Sequence, residues 1–237
     1  MGRNHPTAMP HSQVADKGAT HKDAASGGPD VTVLAEIPAK RALDVALSLI
    51  GIVLSSPLWL LAGPAIKLGD HGPVFYAQHR FGRGGEPFNL IKFRTMKKDS
   101  DATGISSALA HDERITSVGR ILRATGIDEL PQLWSILRGD MSLVGPRALA
   151  IGEAIRRADG TSVEFEEVPG FSERLAVKPG LTGPATIYLR KDADPLEKLE
   201  YDLAYIRDRS FWGDVRLILL SLWISVRGKW ETRERKI

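Results

Sequence analysis

Apolar and polar positions divide the chain into stretches with different periods. From about Leu43 to Ile66, "LDVALSLIGIVLSSPLWLLAGPAI" is apolar almost without relief. A bilayer span needs about 20 apolar residues, so the run is long enough. Ser55, Ser56 and Pro57 interrupt its middle. Proline removes a helix hydrogen bond, and neighbouring serine hydroxyls can satisfy the freed carbonyl in lipid. Lys40 and Arg41 precede the run and Lys67 follows it. The positive-inside tendency then keeps both ends on one side of the membrane. The pattern predicts a re-entrant helix over residues 37–70, broken at Ser56-Pro57 and dipping into one leaflet. A kinked span and a buried core helix are the alternatives.

Beyond this run the period changes. "GPVFYAQHRFGRGGEPFNLIKFRTM", residues 72–96, alternates as two short strands around a turn at Gly82 to Gly85. Lys92 and Arg94 alternate with Ile91 and Phe93, which puts both basic residues on one face of the second strand. "DERITSVGRILRATG" reads as a helix starting at Thr116 or Ser117 and stopping at Gly126. Leu130, Leu133, Trp134 and Leu137 form the apolar stripe of the next helix. "GDMSLVGPR" reads as a loop in which Gly145-Pro146 turns the chain and aims Arg147. Asp194-Pro195 reads as a helix cap and first helical residue. Near the C-terminus the uninterrupted apolar part, Leu217 to Val226, is too short to span. Trp212, Trp223 and Trp230 with Arg216, Arg227 and Lys229 suit a helix in the headgroup region, and a helix packed on the core is the equal alternative.

These segments predict a mixed α+β, helix-rich monotopic membrane protein with a small cytoplasmic domain. Its expected parts are a disordered polar tail (1–36), the re-entrant helix (37–70), a cytoplasmic domain with interfacial helices (71–230) and a charged C-terminal tail (231–237). No signal-peptide pattern is evident near the start.

Composition narrows the chemistry. The 237 residues include no cysteine, which excludes disulfides and thiolate catalysis. Six histidines without ligand spacing argue against a structural zinc site. Net charge is only +3, but the basic residues concentrate between Arg80 and Arg147 and point to an anionic partner.

"GIDELPQL", residues 126–133, puts Asp128 and Glu129 side by side before Pro131. By itself this reads as a helix start, with Asp128 as the N-cap. Arg120 and Arg123 lie before the pair and Arg147 after it. Acidic and basic groups mixed in this way suit a phosphate ester or a magnesium–phosphate complex, since Mg²⁺ takes one or two carboxylates plus phosphate oxygens.

"KRALDVALSLIGIVLSSPLWLL", the 72–96 block, "DERITSVGRILRATGIDELPQLWSILRGDMSLVGPR", "KPGLTG" and "SFWGDV" occur in this order. Together they resemble the bacterial sugar transferase family, the monotopic polyprenyl-phosphate phosphoglycosyl transferases. The resemblance runs from about Lys40 to Trp223 and implies a re-entrant membrane helix at the cytoplasmic face of a bacterial inner membrane. It also implies transfer of a sugar-1-phosphate from a nucleotide sugar, a UDP-sugar first of all, to polyprenyl (undecaprenyl) phosphate, with Mg²⁺. Such a reaction opens a surface polysaccharide or exopolysaccharide pathway. The family's dyad falls on Asp128 and Glu129, the first as covalent nucleophile and the second as metal ligand. Lys92, Arg94, Arg123, Pro146, Arg147 and Asp214 match its substrate-binding positions, with Arg147 as phosphate clamp; a helix-start residue is the equal alternative for Asp214, and Asp202 in "LEYDLAYI" reads as structural. The partners implied are donor, acceptor and membrane lipid, with no nucleic acid and a homo-oligomer left open.

The chain departs from the family in having Ala148 where a proline is usual, and "PATIYLRKDADPLEKLE" after the glycine-rich "PGLTG". A membrane-anchored basic adaptor for anionic lipid or RNA is the competing class, but it leaves the adjacent carboxylates without a task.

Overall fold

A computed structural model describes residues 31–98, 112–156, 162–190, 193–227 and Trp230. The expected tails therefore lie mostly outside the described residues. Helix α1, Pro38–Asp70, has 33 residues and runs without interruption through Pro57 and Pro64. At about 1.5 Å per residue it is roughly 50 Å long. The expected break at Ser56-Pro57 is not an interruption of the helix, and the side chains show why. Pro57 has no N–H for the Val53 carbonyl, and the Ser56 hydroxyl donates to that same oxygen at 2.8 Å. Ser55 donates to Ile52 O and accepts from Trp59 Nε1 at 3.1 Å.

α1 packs on the rest of the protein along one face, through Leu47, Gly51, Ile52 and Trp59, while the opposite face of its middle is exposed. Near the N-terminal end, Arg41 donates to Ile136 O and Leu137 O at 2.7 and 2.8 Å. Asp44 is buried and accepts from Leu143 N at 2.9 Å. Near the C-terminal end, Ala62 and Ile66 are buried against Phe93 and Leu122, and Trp59 meets Phe93 edge-on at 5.5 Å. Between these contacts Val53, Leu54, Leu60 and Leu61 are 63–77% exposed. Among the described residues, α1 is the one helix long and apolar enough to cross a membrane.

Strands β1 (Phe75–Phe81) and β2 (Pro87–Phe93) form the expected antiparallel hairpin, with Tyr76 opposite Lys92 and Arg80 opposite Phe88. Helix α2, Ser117–Thr125, starts at Thr116, whose side chain accepts from Gly119 N, and stops at Gly126 in the left-handed region at φ 73°. Helix α3 spans Gln132–Arg138 and buries Gln132, Leu133, Ser135 and Ile136. The expected stripe is therefore shifted. Leu133 faces inward, but Trp134 is 51% exposed because only seven residues are helical and Ile136 fills the core instead.

The expected loop after α3 contains β3, Ser142–Val144, which pairs in parallel with β6, Gly180–Thr182. β4 (Ala154–Arg156) and β5 (Ser162–Glu164) form a second short antiparallel pair. Helices α4 (Phe171–Arg174), α5 (Pro184–Tyr188), α6 (Pro195–Asp208) and α7 (Phe211–Val226) complete the fold. Asp194 caps α6 as expected, its carboxylate accepting from Leu196 N. Helix α7 packs one face on the core and leaves apolar residues on the other. Leu217 and Ile224 are buried, whereas Trp212, Leu219, Leu222 and Val226 are 58–88% exposed.

The main core joins β2, α3, β3 and α7 around Leu90, Ile136, Met141, Val144, Leu217 and Ile224. A second cluster, with Phe165, Phe171 and Leu199, lies under the 148–155 segment. The result is a mixed, helix-rich fold carrying one long apolar helix.

Candidate active site

The acidic pair sits between two helices rather than at the start of one. Gly126 ends α2, and Ile127–Glu129 form a single 3-10 turn before α3 begins at Gln132. That turn is held by Glu129 N on Gly126 O and Leu130 N on Ile127 O, both at 3.2 Å. Asp128 lies inside this 3-10 turn, and Pro131 occupies the cap position before α3. The N-cap reading of Asp128 is thus corrected. The left-handed Gly126 forces a tight turn that keeps the pair out of α3's first turn. Asp128 is 8% exposed, and the Glu129 side chain is 33% exposed.

Lys92 Nζ lies 2.6 Å from Glu129 Oε1. β2 thus delivers one expected basic residue to the dyad. Its neighbour Tyr76 projects from the paired position of β1. Arg94, by contrast, lies beyond the end of β2. Its backbone N–H bonds to Val74 O at 2.9 Å. Its guanidinium lies over Gly72, where a Cβ would come within 1.7 Å of Nη1. Arg94 lines a cavity of about 180 Å³ with Ala65, Ile66, Gly69, Thr116, Ser117 and Val118.

Arg123 donates from Nε to Thr95 Oγ1 at 3.0 Å. Arg147 follows β3 after Gly145 and Pro146 and is exposed, while Pro146 before it is buried. Asp214 is 1% exposed in the first turn of α7. It accepts from Lys40 Nζ at 2.7 Å and from the Tyr205 hydroxyl at 2.8 Å. Burial and the adjacent Asp214 carboxylate push the Tyr205 phenol well above its ordinary value. These contacts make Asp214 a bolt between α1, α6 and α7. Asp202 is paired with Arg174 at 2.8 Å in a buried setting, in line with its expected structural role.

Arg80 is the basic residue that the sequence reading overlooked. It is 9% exposed and donates to Ala148 O at 2.8 Å and Gln78 Oε1 at 2.6 Å. Burial lowers its pKa first and the like charge of Arg147 second, whereas Glu153, Tyr76 and Glu129 raise it. Its charge therefore lies within electrostatic reach of both Arg147 and the dyad. The clue in the sequence was its alternation with Tyr76 and Gln78 on one strand face.

Among the described residues no three or more His, Asp or Glu gather as a metal cage. One or two carboxylates suffice for Mg²⁺ when a diphosphate supplies further oxygens, so Asp128 and Glu129 fit an ion that arrives with its substrate.

A buried carboxylate, a second one bridged to lysine and basic residues on neighbouring segments have the chemistry suited to a phosphate-handling site, on a scaffold with one long apolar helix. The profile of the bacterial sugar transferase family matches residues 35–228, and the chain belongs to that family. It is 42% identical over 198 residues to the UDP-glucose:undecaprenyl-phosphate glucose-1-phosphate transferase of Caulobacter vibrioides, covering 81% of this chain and 71% of that one. The Escherichia coli protein of the same name is 40% identical over 190 residues, 77% of this chain but only 39% of its own length. The exopolysaccharide production protein PSS of Rhizobium leguminosarum is 40% identical over 185 residues, covering 76% of this chain and 90% of that protein.

Proposed function

We propose that the protein transfers a sugar-1-phosphate from a UDP-sugar to undecaprenyl phosphate at the cytoplasmic face of the bacterial inner membrane, opening a surface polysaccharide pathway. The observation that carries this reading is the buried Asp128 beside the Lys92-bound Glu129, in a chain with the family's fold. UDP-glucose, named for two of the relatives, is the first donor to assay.

The chemistry proceeds in two displacements. An Asp128 oxygen attacks the β-phosphorus of the donor, and the bond from that phosphorus to the nucleoside monophosphate breaks. The resulting aspartyl-phosphosugar is then attacked by an oxygen of the polyprenyl phosphate, which frees the carboxylate and yields a polyprenyl diphosphate sugar. Lys92 and Arg147 neutralise phosphate charge, the arginine as a planar fork. Glu129, with Asp128 beside it, would hold Mg²⁺, which supplies charge neutralisation for the diphosphate when bound. A half-exposed Glu129 suits an ion that comes and goes with the donor.

The topology is part of the proposal. Helix α1 dips into one leaflet and returns, with both ends cytoplasmic. Supporting this is the packing of both its ends on the same domain with an exposed apolar face at its middle. A single crossing would carry one end to the far side of the membrane.

Incubation with labelled UDP-sugar and Mg²⁺, without acceptor, should label the protein and release nucleoside monophosphate. Asp128→Asn should abolish labelling and turnover, because the amide is a poor nucleophile. Glu129→Gln should slow the reaction and raise its Mg²⁺ requirement. An active Asp128→Asn, or the phosphosugar mapped to another residue, would end this assignment. The adaptor alternative forecasts no monophosphate release from the native protein.

A further inference from the structure

The turn that carries Arg147 is held in an uncommon way. Three successive carbonyls each accept a hydrogen bond from a different element. Pro146 O accepts from Gly180 N at 2.8 Å, in β6. Arg147 O accepts from Arg174 Nη2 at 2.5 Å, in α4. Ala148 O accepts from Arg80 Nη1 at 2.8 Å, in β1. Arg80 and Arg174 are 9% and 5% exposed, whereas the Arg147 side chain is exposed.

Each buried arginine is itself fixed. Arg174 donates from Nε to Asp202 Oδ2 at 2.8 Å. Arg80 is oriented by Gln78 Oε1 at 2.6 Å and lies 3.6 Å from Glu153 Oε2. That Glu153 oxygen in turn accepts from Ala150 N at 2.9 Å, so it holds the same turn from its far side. Burying two guanidiniums costs desolvation that a surface turn does not need. A turn of this kind would be stable with ordinary backbone partners.

We infer that Arg80 and Arg174 are positioning residues for Arg147. They clamp the carbonyls on either side of the peptide that follows it, so that its guanidinium meets the donor diphosphate already aimed. The inference rests on the reading of Arg147 as a phosphate contact. Fixing the backbone removes part of the entropy that a long arginine would lose on binding.

The test is a double-mutant cycle on kcat/KM for the UDP-sugar, using the full-length protein in detergent or nanodiscs. Arg80→Lys keeps the charge but cannot make the forked contact to Ala148 O and Gln78. It should lower kcat/KM about tenfold or more in the native background, since small misplacement of a binding group costs that much. In an Arg147→Ala background the same change should cost less than about threefold, because nothing remains to be aimed. Should Arg80→Lys lower the melting temperature by more than about 5 °C, Glu153→Gln, at the more exposed end of the same staple, takes its place. It should then lower kcat/KM by about threefold, an effect absent in the Arg147→Ala background. Equal losses in both backgrounds, or no loss in the native one, would overturn the positioning role while leaving the catalytic reading standing. Native kinetics in Arg147→Ala alone would instead remove the phosphate contact, and the inference with it.

Discussion

The Lys40–Asp214 pair tests whether α1 is bolted to the domain at its N-terminal end. The two charges are 2.7 Å apart, with side-chain exposures of 14% and 2%. Lys40 also donates to Val144 O at 2.8 Å, and Asp214 also accepts from Tyr205. Removing one partner of such a pair strands a buried charge, at a cost of about 3–5 kcal/mol. Lys40→Met leaves the Asp214 carboxylate with only a phenol hydroxyl and should sit near 3 kcal/mol, roughly 6–12 °C of melting temperature for a chain of this size. Asp214→Leu leaves Lys40 with the Val144 carbonyl and the Tyr205 hydroxyl, both uncharged, and should cost a similar amount. The double variant removes both charges and fills the space with apolar groups. Val144 O keeps the Tyr205 hydroxyl at 3.2 Å. Its cost should fall below the sum of the singles by at least about 2 kcal/mol. Thermal unfolding of the detergent-solubilised protein, followed by near-ultraviolet dichroism, measures all four corners. Single losses below about 1 kcal/mol that simply add would show a solvated pair of little structural weight. The same variants separate two roles for Asp214. A substrate ligand predicts lost turnover in Asp214→Asn with unchanged stability, whereas a bolt predicts that stability falls first.

Three further outcomes follow from local geometry. A Cβ on Gly119 would lie 2.0 Å from Thr95 O, a backbone atom, so Gly119→Ala should destabilise by about 3 kcal/mol or more in denaturant titration; an unperturbed midpoint would refute the close packing of α2 on the segment after β2. Hydrogen bonds from Arg114 hold Asp112 at about 2, below its ordinary 3.8, so the stability it adds is present above pH 3.8 and is lost as pH falls toward 2. Asp112→Asn should flatten that part of the pH–stability curve, and an unchanged curve would refute the pairing. Single cysteines at Ala35 and His79, on either side of α1, should show the same sidedness to an impermeant thiol reagent in oriented vesicles, whereas opposite sidedness would sink the re-entrant proposal.

Much of the local structure was legible because its causes are local. Thr116, Gly126 and Asp194-Pro195 mark helix ends through their own side chains and backbones. The serines before Pro57 announced their use, although they keep the helix continuous where a break was expected. What was hidden depends on partners far along the chain. β3 becomes a strand only because β6 lies beside it, and no residue in "MSLV" announces that pairing. Arg80 and Arg174 act on carbonyls, which every residue has, so no motif could reveal their targets. Arg94 could be placed in register with Lys92, but not its guanidinium against Gly72. Asp128 looked like a cap because acidic residues before a helix usually are caps. The left-handed Gly126 changed the geometry, and with it the meaning of the pair.

Under the proposed function, the same contacts would fix the height of Asp128 above the membrane. Arg41 binds the carbonyls of Ile136 and Leu137 in the last turn of α3, adding to the bond that Ile136 O accepts from Gly139 N. α3 follows the dyad after only two residues, Leu130 and Pro131. At the other end, Phe93 and Leu122 pack on α1 next to Lys92 and Arg123. The segments before and after the dyad thus rest on one apolar helix, and α7 presents Trp212 and Val226, 77% and 88% exposed, as a further apolar face. Arg227 stacks on Trp223 at 3.7 Å, an arrangement suited to the headgroup zone. A free chain exposing this much apolar surface would aggregate, whereas a bilayer covers it and sets the depth of α1. Setting that depth sets the height of Asp128, because α3 and β2 connect the two through short, buried contacts.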